Sequence, residues 1–148
     1  MDQKTIIIEE IHDTSEEVVA ALSDLSAHLN TNPQLLTQQD LQSIVNSEYI
    51  HLFLARRNDD KKIVGMITLV TFRTPYKMKG TLEDLVVAEE ARGRGLGERL
   101  LNEAIAKAKE KGVKSLTLTS HPTRVSANKL YERLHFEKRD TNVYRINL

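Results

Sequence analysis

The sequence of 148 residues contains no cysteine, and that absence excludes disulfide bonds, thiolate metal sites and cysteine nucleophiles together. It suits a reducing compartment, so we expect a cytoplasmic location. Long apolar runs are missing as well, because the longest early run, residues 6–8, is far shorter than the core of a signal peptide, and no window approaches a membrane span. We therefore expect no membrane partner.

The chain also lacks an excess of charge of either sign, since 21 basic residues balance 21 acidic residues. Without a net positive charge, no global feature predicts a nucleic-acid partner, and any electrostatic function must be local. The five histidines show no ligand spacing, so no metal site is expected. At this length we expect a single domain that spans residues 1–148.

Periodic apolar residues predict the secondary structure of the first part of the chain. A strand is predicted for residues 4–11, a helix for residues 15–29 and a shorter helix for residues 37–47. Two apolar runs separated by a polar cluster predict a β-hairpin within residues 49–72, and residues 81–87 form a third run. These three runs are expected to be antiparallel neighbours.

The remaining elements are predicted in the same way. Apolar residues fall on one helical face from residue 96 to residue 108, and Gly112 is expected to end that helix. A strand at residues 114–120, a helix at residues 126–134 and a strand at residues 142–148 follow. The predicted fold class is mixed α/β (α+β), with a mostly antiparallel sheet, one parallel strand-helix-strand crossover and flanking helices.

Polar residues at the helix ends and surfaces give further expectations. Ser15 and Ser126 are expected to be N-caps of their helices, because a serine hydroxyl can accept from the first amides. Glu103 and Lys107 are expected to form an exposed pair with i,i+4 spacing.

The segment EEARGRGLGERLL, residues 89–101, places three glycines and three arginines within eight positions, where an apolar run gives way to a helical pattern. The first amides of a helix have no intrahelical partner and the helix dipole adds partial positive charge, so such a junction favours anions. Glycines let the backbone approach a ligand closely, and arginines add charge-assisted donors. The pattern indicates a phosphate site, with a glycine-rich turn that holds no ligand as the alternative.

Two common phosphate loops do not fit this segment. A P-loop requires a Gly-Lys-Ser/Thr ending, which is absent here. A dinucleotide fingerprint requires a third glycine where Glu98 stands, and it requires the loop directly after its strand, whereas residues 88–92 intervene.

A third pattern fits. Arg92-x-x-Gly95-x-Gly97, preceded by LEDLVV at residues 82–87 and followed by an amphipathic helix, resembles the acetyl-CoA pyrophosphate loop of the GCN5-related N-acetyltransferase (GNAT) family. SANKLYERLHF at residues 126–136 is similar to the second motif of that family. The resemblance implies a GNAT-like fold and acetyl-CoA as cosubstrate, with no metal. One departure lies just before the aromatic end of the second motif, where histidine replaces the usual glycine and puts the local backbone turn in question.

The resemblance also implies which residues bind the coenzyme. In the family the pantetheine arm lies between two splayed parallel strands, which correspond here to residues 82–87 and 115–120. The backbone of Leu85 and Val87 would bond the acetyl carbonyl and the pantetheine amides, and the donor at residue 85 would form an oxyanion hole. Asn128 matches the asparagine of the family's second motif and would contact the pantetheine or pyrophosphate arm. The alternative for this residue is satisfaction of local backbone groups. The residues expected to bind the coenzyme are Leu85, Val86, Val87, Arg92, Gly93, Arg94, Gly95, Leu96, Gly97 and Asn128.

Acetyl transfer from a thioester to an amine requires a neutral amine and a proton for the leaving thiolate. Tyr131 is the candidate acid, because a phenol with a pKa of about 10 is protonated at neutral pH, and a core aromatic is the alternative. Glu83 is the candidate base, acting through water, with Asp84 as second choice. For either carboxylate the alternative is a solvated or salt-bridged side chain.

The function implied by the resemblance is transfer of the acetyl group of acetyl-CoA to a primary amine by direct attack in a ternary complex. The alternative is a catalytically silent domain that binds acyl-CoA as a sensor or interaction module. The acceptor is left open between a small-molecule amine, an aminosugar and a peptide amine, and Arg73, Lys77 and Lys79 could meet an anionic acceptor. No nucleic-acid partner is expected, and the sequence leaves room for a homodimer.

Overall fold

The computed structural model describes residues 5–29 and 35–148, which fall into two compact units, Met1–Leu118 and Thr119–Leu148. In its described residues the first unit contains a five-stranded sheet and three α-helices, and the second contains one α-helix. Across these described ranges, no helix is both long enough and apolar enough to cross a membrane.

The sheet of the first unit has its strands in chain order. The first four strands pair antiparallel with one another, and the fourth and fifth strands pair in parallel. The mixed sheet predicted from the sequence is confirmed. Its strands are β1 (Ile6–Glu10), β2 (Ile50–Arg57), β3 (Ile63–Arg73), β4 (Met78–Val87) and β5 (Ser115–Thr117). The strand expected at residues 114–120 is therefore shorter than predicted.

One face of the sheet is covered by the helix that follows the glycine segment, α3 (Leu96–Glu110). A β-carbon built on Gly65 would lie 3.1 Å from Cδ1 of Leu100, so the side-chain direction at Gly65 faces α3. Met66, the next residue of β3, points to the other face, because successive residues of a strand alternate. Met66 is also buried, and α1 (Glu16–Ser26) and α2 (Gln38–Asn46) pack against β2, β3 and β4 there.

The two N-terminal helices begin where their polar caps lie. The hydroxyl of Ser15 accepts from the backbone N–H of Val18 at 3.4 Å, so the predicted cap is confirmed. Thr37 and Asp40 form a reciprocal capping box at the start of α2, with hydrogen bonds of 3.1 Å and 2.9 Å. The segment predicted to break the first helix lies partly at residues 30–34, outside the described residues.

The C-terminal end of α3 confirms the prediction for Gly112. This residue has φ of 76°, a left-handed conformation that glycine adopts without the strain of a β-carbon. The N–H of the next residue, Val113, donates to the carbonyl of Ala108 at 3.0 Å, which satisfies an orphan carbonyl of the last turn.

The pair predicted between Glu103 and Lys107 is wrong, because Lys107 turns toward the sheet instead. Its ammonium lies 3.0 Å from Glu10 and 3.6 Å from Glu110. The other carboxylate oxygen of Glu10 lies 2.8 Å from Nδ1 of His51, a residue that is only 5% exposed. Because an ionised carboxylate can only accept, Nδ1 is the donor of this hydrogen bond. Burial raises the pKa of Glu10, but the hydrogen bonds from His51 and Lys107 outweigh it, so the net pKa is lowered. We call Glu10, His51 and Lys107 the Glu10 cluster.

The second unit is built around α4 (Val125–Arg133), and the cap predicted at Ser126 is wrong. The helix begins one residue earlier, with Arg124 as N-cap and no capping side-chain bond, so Ser126 lies inside the first turn. At the other end, His135 has φ of 68°, and the N–H of Phe136 donates to the carbonyl of Tyr131 at 2.9 Å. Histidine thus adopts the left-handed conformation in which glycine is favoured.

The strand predicted at residues 142–148 does not form. No regular secondary structure occurs after α4 in the described chain, and the apolar side chains of this segment are exposed, namely Val143, Tyr144, Ile146 and Leu148. Alternation of apolar residues creates a strand only where a neighbouring strand accepts the backbone hydrogen bonds, and none of the described strands pairs with this segment.

Candidate functional site

Strand β4 is irregular at the pair of acidic residues that the sequence singled out. Met66 pairs with Val86 but Thr68 pairs with Glu83, so Asp84 and Leu85 together lie opposite Ile67. Such an extra residue is a β-bulge, which bends the strand and interrupts the ladder. Asp84 has φ of 55°, a left-handed conformation that aspartate tolerates better than most residues. The regular alternation assumed for Asp84 therefore does not hold.

The outer edge of β4 opens beyond its first residues. The parallel ladder ends at Thr81↔Thr117, and β4 continues to Val87 without pairing to another described strand on that side. The N–H of Ala88 donates to the carbonyl of Val64 at 2.8 Å and Val86 pairs with Met66, so beyond the bulge the backbone groups of Val86 and Ala88 turn toward β3. The N–H and C=O groups of Leu85 and Val87 therefore point to the open edge.

The loop after β4 is shaped by its glycines. A short 3-10 turn at Glu89–Ala91 follows the strand, and the side chain of Arg92 then folds back to donate through Nε to the carbonyl of Val87 at 2.9 Å. Gly93 and Gly95 have φ of 76° and 75°, so a side chain at either position would be strained. The bond from Arg92 fixes the loop against the end of the strand.

Helix α3 starts directly from this loop. Its N-cap is Gly95, which offers no side chain to the first amides, so the N–H groups of Leu96 and Gly97 have no intrahelical partner. The guanidinium groups of Arg92 and Arg94 add positive charge to the exposed loop. Together with the helix dipole, these groups form a site that favours an anion.

The two carboxylates on β4 differ in their surroundings. Glu83 pairs with Thr68, whose side chain points away from α3 by alternation from Gly65, so Glu83 lies exposed on the face opposite α3. Asp84 sits in the bulge, where desolvation by neighbouring protein atoms raises its pKa although the residue as a whole is exposed. Asp84 therefore holds a proton at higher pH than an ordinary aspartate.

Tyr131 belongs to the second unit and is only 7% exposed. Its ring makes an edge contact with Phe136, with centroids 6.0 Å apart. Burial raises the pKa of Tyr131, and the positive charge of Arg124 acts in the opposite direction without cancelling that rise. The phenol is therefore protonated throughout the neutral range, and its packing is also that of a core aromatic.

Asn128 serves the backbone of its own unit. Its side-chain N–H donates to the carbonyl of His121 at 3.2 Å, and its backbone N–H donates to the backbone carbonyl of Arg124 at 3.0 Å. These bonds tie α4 to the preceding loop, which is the local role weighed for this residue. A contact between Asn128 and the coenzyme stays a prediction.

Comparisons with known proteins identify the class of this fold. An aminoglycoside acetyltransferase from an uncultured soil metagenomic sample, solved in complex with trehalose, is similar with a TM-score of 0.83 and 20% identity, over 99% of each chain. Glucosamine-6-phosphate N-acetyltransferase from Arabidopsis thaliana is similar with a TM-score of 0.81 and 16% identity, over 96% of this chain and 98% of the other. An acetyltransferase from Trypanosoma brucei has a TM-score of 0.78 and 23% identity, over 97% and 99%. The fold is that of an acetyltransferase.

A comparison of sequence with family models agrees. The model of the acetyltransferase (GNAT) family matches residues 15–136, so the chain belongs to this family. A search of curated protein sequences finds no significant match.

Proposed function

We propose that the protein transfers the acetyl group of acetyl-CoA to a primary amine by direct attack in a ternary complex. Membership of the GNAT family supports the reaction class and the use of acetyl-CoA. Among the structural neighbours, one is named for an aminoglycoside acceptor and one for glucosamine 6-phosphate, both of which carry amines. A cytoplasmic location and a homodimer remain predictions from the sequence.

The observation that carries the proposal is the open edge of β4 next to the uncapped start of α3. An extended arm that contains amides can bond to the N–H and C=O of Leu85 and to the N–H of Val87 as a neighbouring strand would, because these groups point outward, while the carbonyl of Val87 already accepts from Arg92. A pyrophosphate can accept from the amides of Leu96 and Gly97 and from nearby guanidinium groups. Coenzyme A carries both chemical groups, so these residues fit it.

The outward N–H of Leu85 has a further role in the proposal. When an amine attacks a thioester carbonyl, negative charge develops on the carbonyl oxygen, and a preorganised donor stabilises that charge. The bulge aims Leu85 by setting it and Asp84 opposite a single residue of β3. Loss of one such donor commonly slows catalysis by about 100- to 1,000-fold.

Proton transfer is assigned to two side chains. Glu83 takes the amine proton, through water, because its carboxylate is exposed and the residue lies on β4 two positions before Leu85. Tyr131 gives a proton to the departing thiolate, a role suggested by its place in the second family motif and by a hydroxyl that burial keeps protonated. Each carries one proton in the direction that the reaction requires.

The test is an assay of free thiol released from acetyl-CoA in the presence of simple amines, aminosugars and peptides, together with calorimetric titration of coenzyme A. Gly95→Asp should abolish binding and turnover, because it strains a left-handed position and adds negative charge where the pyrophosphate is expected. Gly112→Asp is the matched control, since φ is 76° there as well and the residue lies past the other end of α3.

Three outcomes decide the proposal. Thiol release that requires both an amine and an intact Gly95 supports an enzyme. Tight coenzyme binding with no release for any amine supports the silent acyl-CoA sensor instead. Equal affinity for coenzyme A in the folded Gly95→Asp and Gly112→Asp proteins would overturn the assignment of the pyrophosphate site.

A further inference from the structure

A row of side chains leads away from Glu83 along the same face of β4. From residue 79 to residue 83 the register with β3 is regular, so Glu83, Thr81 and Lys79 point to one face. At about 3.3 Å per residue, Lys79 lies about 13 Å from Glu83 along the strand. This face is the one opposite α3, which makes it the side from which an acceptor can approach Glu83.

The hairpin at the far end of this row is basic. Of its three cations, Lys79 belongs to the row and Arg73 does not, because Arg73 pairs with Met78 and points to the other face. Arg73, Lys77 and Lys79 lie within a ten-residue stretch, residues 72–81, that contains no acidic residue. None of the three forms an ion pair with any residue in the described ranges. Because the chain as a whole is neutral, this hairpin is a local concentration of positive charge.

Aromatic side chains accompany the basic ones. The ammonium of Lys79 lies 5.7 Å from the centre of the Phe72 ring, which orients it and leaves its N–H donors available. Phe72 is its register partner on β3 and is 37% exposed, and Tyr76 at the hairpin tip is 93% exposed. The hairpin turn is held by hydrogen bonds between Thr74 and Lys77. The N–H of Thr74 donates to the carbonyl of Lys77 at 3.0 Å, and the N–H of Lys77 donates to the hydroxyl of Thr74 at 3.3 Å. The basic end of the row is thus a defined surface.

A substrate that uses both ends of the row must be long. An aminosugar phosphate carries its anion within one ring of its amine and cannot span about 13 Å. An extended peptide advances by about 3.3 Å per residue, so an N-terminal amine near Glu83 brings about the fifth residue to Lys79. A peptide α-amine also suits a weak carboxylate base better than lysine does, because its pKa of about 7.7 to 8.0 leaves a large neutral fraction near pH 7.5.

Building on the proposed function, we propose that the acceptor is a peptide with a free N-terminal amine and an acidic side chain at about its fifth residue, which Lys79 binds. The peptide lies along the face of β4 opposite α3, the face on which α1 also packs, with its amine beside Glu83. Lys79 is then a specificity-determining residue, and Lys77 extends the same preference toward the hairpin tip.

The experiment uses heptapeptides with a free N-terminus, an amidated C-terminus and an otherwise neutral sequence, each carrying one Asp or one Asn at positions 2 to 7. We expect the Asp peptide to exceed its Asn counterpart in kcat/KM by about 3- to 5-fold at low ionic strength, the scale of an exposed ion pair. The preference should peak at the fourth to sixth position and decline with added salt.

Two variants test the residue itself. Lys79→Met removes the charge and keeps an aliphatic chain beside Phe72, so the ratio of kcat/KM for the Asp and Asn peptides should fall to about 1. Lys114→Met is the matched control. The backbone N–H of Lys114 bonds to the carbonyl of Met78, and the next residues, Lys79 and Ser115, pair with each other. By alternation Lys114 therefore lies on the face opposite Lys79. Lys79→Glu should invert the preference in favour of a Lys peptide. A ratio of two substrates on one enzyme does not depend on how much of the protein is folded.

The outcomes separate this inference from the function on which it rests. Acetylation of peptides with equal kcat/KM for Asp and Asn at every position would overturn the inference alone. An aminosugar phosphate that exceeds every peptide would also overturn it and leave the enzyme intact. Absence of thiol release with every amine would remove the proposed function, and the inference with it.

Discussion

At the scale of single residues, the two carboxylates on β4 can be separated experimentally. Glu83→Gln removes the proposed base from an exposed position, so we expect turnover to fall by about 100-fold or more, the lower range of general base catalysis, with acetyl-CoA affinity almost unchanged. Asp84→Asn keeps a side chain that tolerates the left-handed backbone, so the fold should persist and turnover should fall by less than about 5-fold.

The measurement is kcat against pH for the wild type and both variants. In the wild type kcat should rise toward alkaline pH as the amine loses its proton, and Glu83→Gln should shift that rise upward. If Asp84→Asn causes the larger loss, the base is Asp84, whose raised pKa would then place its working range nearer neutral pH.

Tyr131 permits a test that separates chemistry from packing. Tyr131→Phe removes one hydroxyl and retains the ring that contacts Phe136, so stability should change little. Turnover should fall by about 100- to 10,000-fold, the range of general acid catalysis, while acetyl-CoA affinity is retained. Because burial raises the pKa of the phenol, its ionisation should cause no loss of wild-type activity between pH 7 and 9.

The test combines steady-state kinetics with thermal unfolding of the Tyr131→Phe protein. Stable protein with turnover within about 5-fold of wild type would assign Tyr131 to the core alone. Lost coenzyme binding would instead show that the hydroxyl positions the ligand.

At the scale of secondary-structure elements, the Glu10 cluster joins β1, β2 and α3. Glu10→Gln removes the charge that His51 and Lys107 share, and we expect it to cost about 1.5 to 3 kcal/mol of unfolding free energy at pH 7, the range for hydrogen bonds to charged groups. Since the pKa of Glu10 is lowered in the folded state, its contribution is complete above its unfolded pKa of about 4.3 and is lost as the pH falls through the folded value.

Urea unfolding at pH 7 and at successively lower pH checks this prediction. The difference between wild type and Glu10→Gln should be largest at pH 7 and should shrink below about pH 4. Glu110→Gln is the control, because Glu110 is 67% exposed and lies 3.6 Å from the same ammonium, and it should change stability by less than about 1 kcal/mol. Equal effects of the two substitutions would show that Glu10 is no more than a surface partner.

Elements were predictable from the sequence where their signals are local. Helix α3 and its end at Gly112 follow from apolar spacing and a single glycine, and Ser15 caps α1 through a bond that spans three residues. Partners distant in the chain were not predictable. The pairing of Lys107 with Glu10 depends on the fold that brings β1 beneath α3, and the strand expected at residues 142–148 lacked a neighbour among the described strands.

The site was predictable in part for the same reason. The glycine spacing located the loop, and the family resemblance pointed to Leu85 and Val87. The bulge was not predicted, because alternation in a sequence assumes a regular strand and the extra residue is seen only when β3 supplies the register. Two adjacent acidic residues inside an apolar strand were the one available signal. Likewise, the bond from Arg92 to Val87 requires the folded loop.

At the scale of the whole molecule, the family match over residues 15–136 extends across both compact units. The expectation of a single domain stays a prediction. Charge is balanced over the whole chain but not locally, since the hairpin between β3 and β4 contains basic residues without acidic ones. Composition could exclude a global polyanion binder, and only the sheet register could show that Lys79 shares a face with Glu83.

The open edge of β4 has a consequence for the protein before any ligand binds. An exposed strand edge with free N–H and C=O groups is a template on which another chain can add a strand, and it is a common starting point for aggregation. The bulge at Asp84 interrupts the regular spacing that an incoming strand requires, and the adjacent charges of Glu83 and Asp84 disfavour a close dry contact. We therefore expect the irregularity beside Leu85 to disfavour self-association of the free protein along that edge.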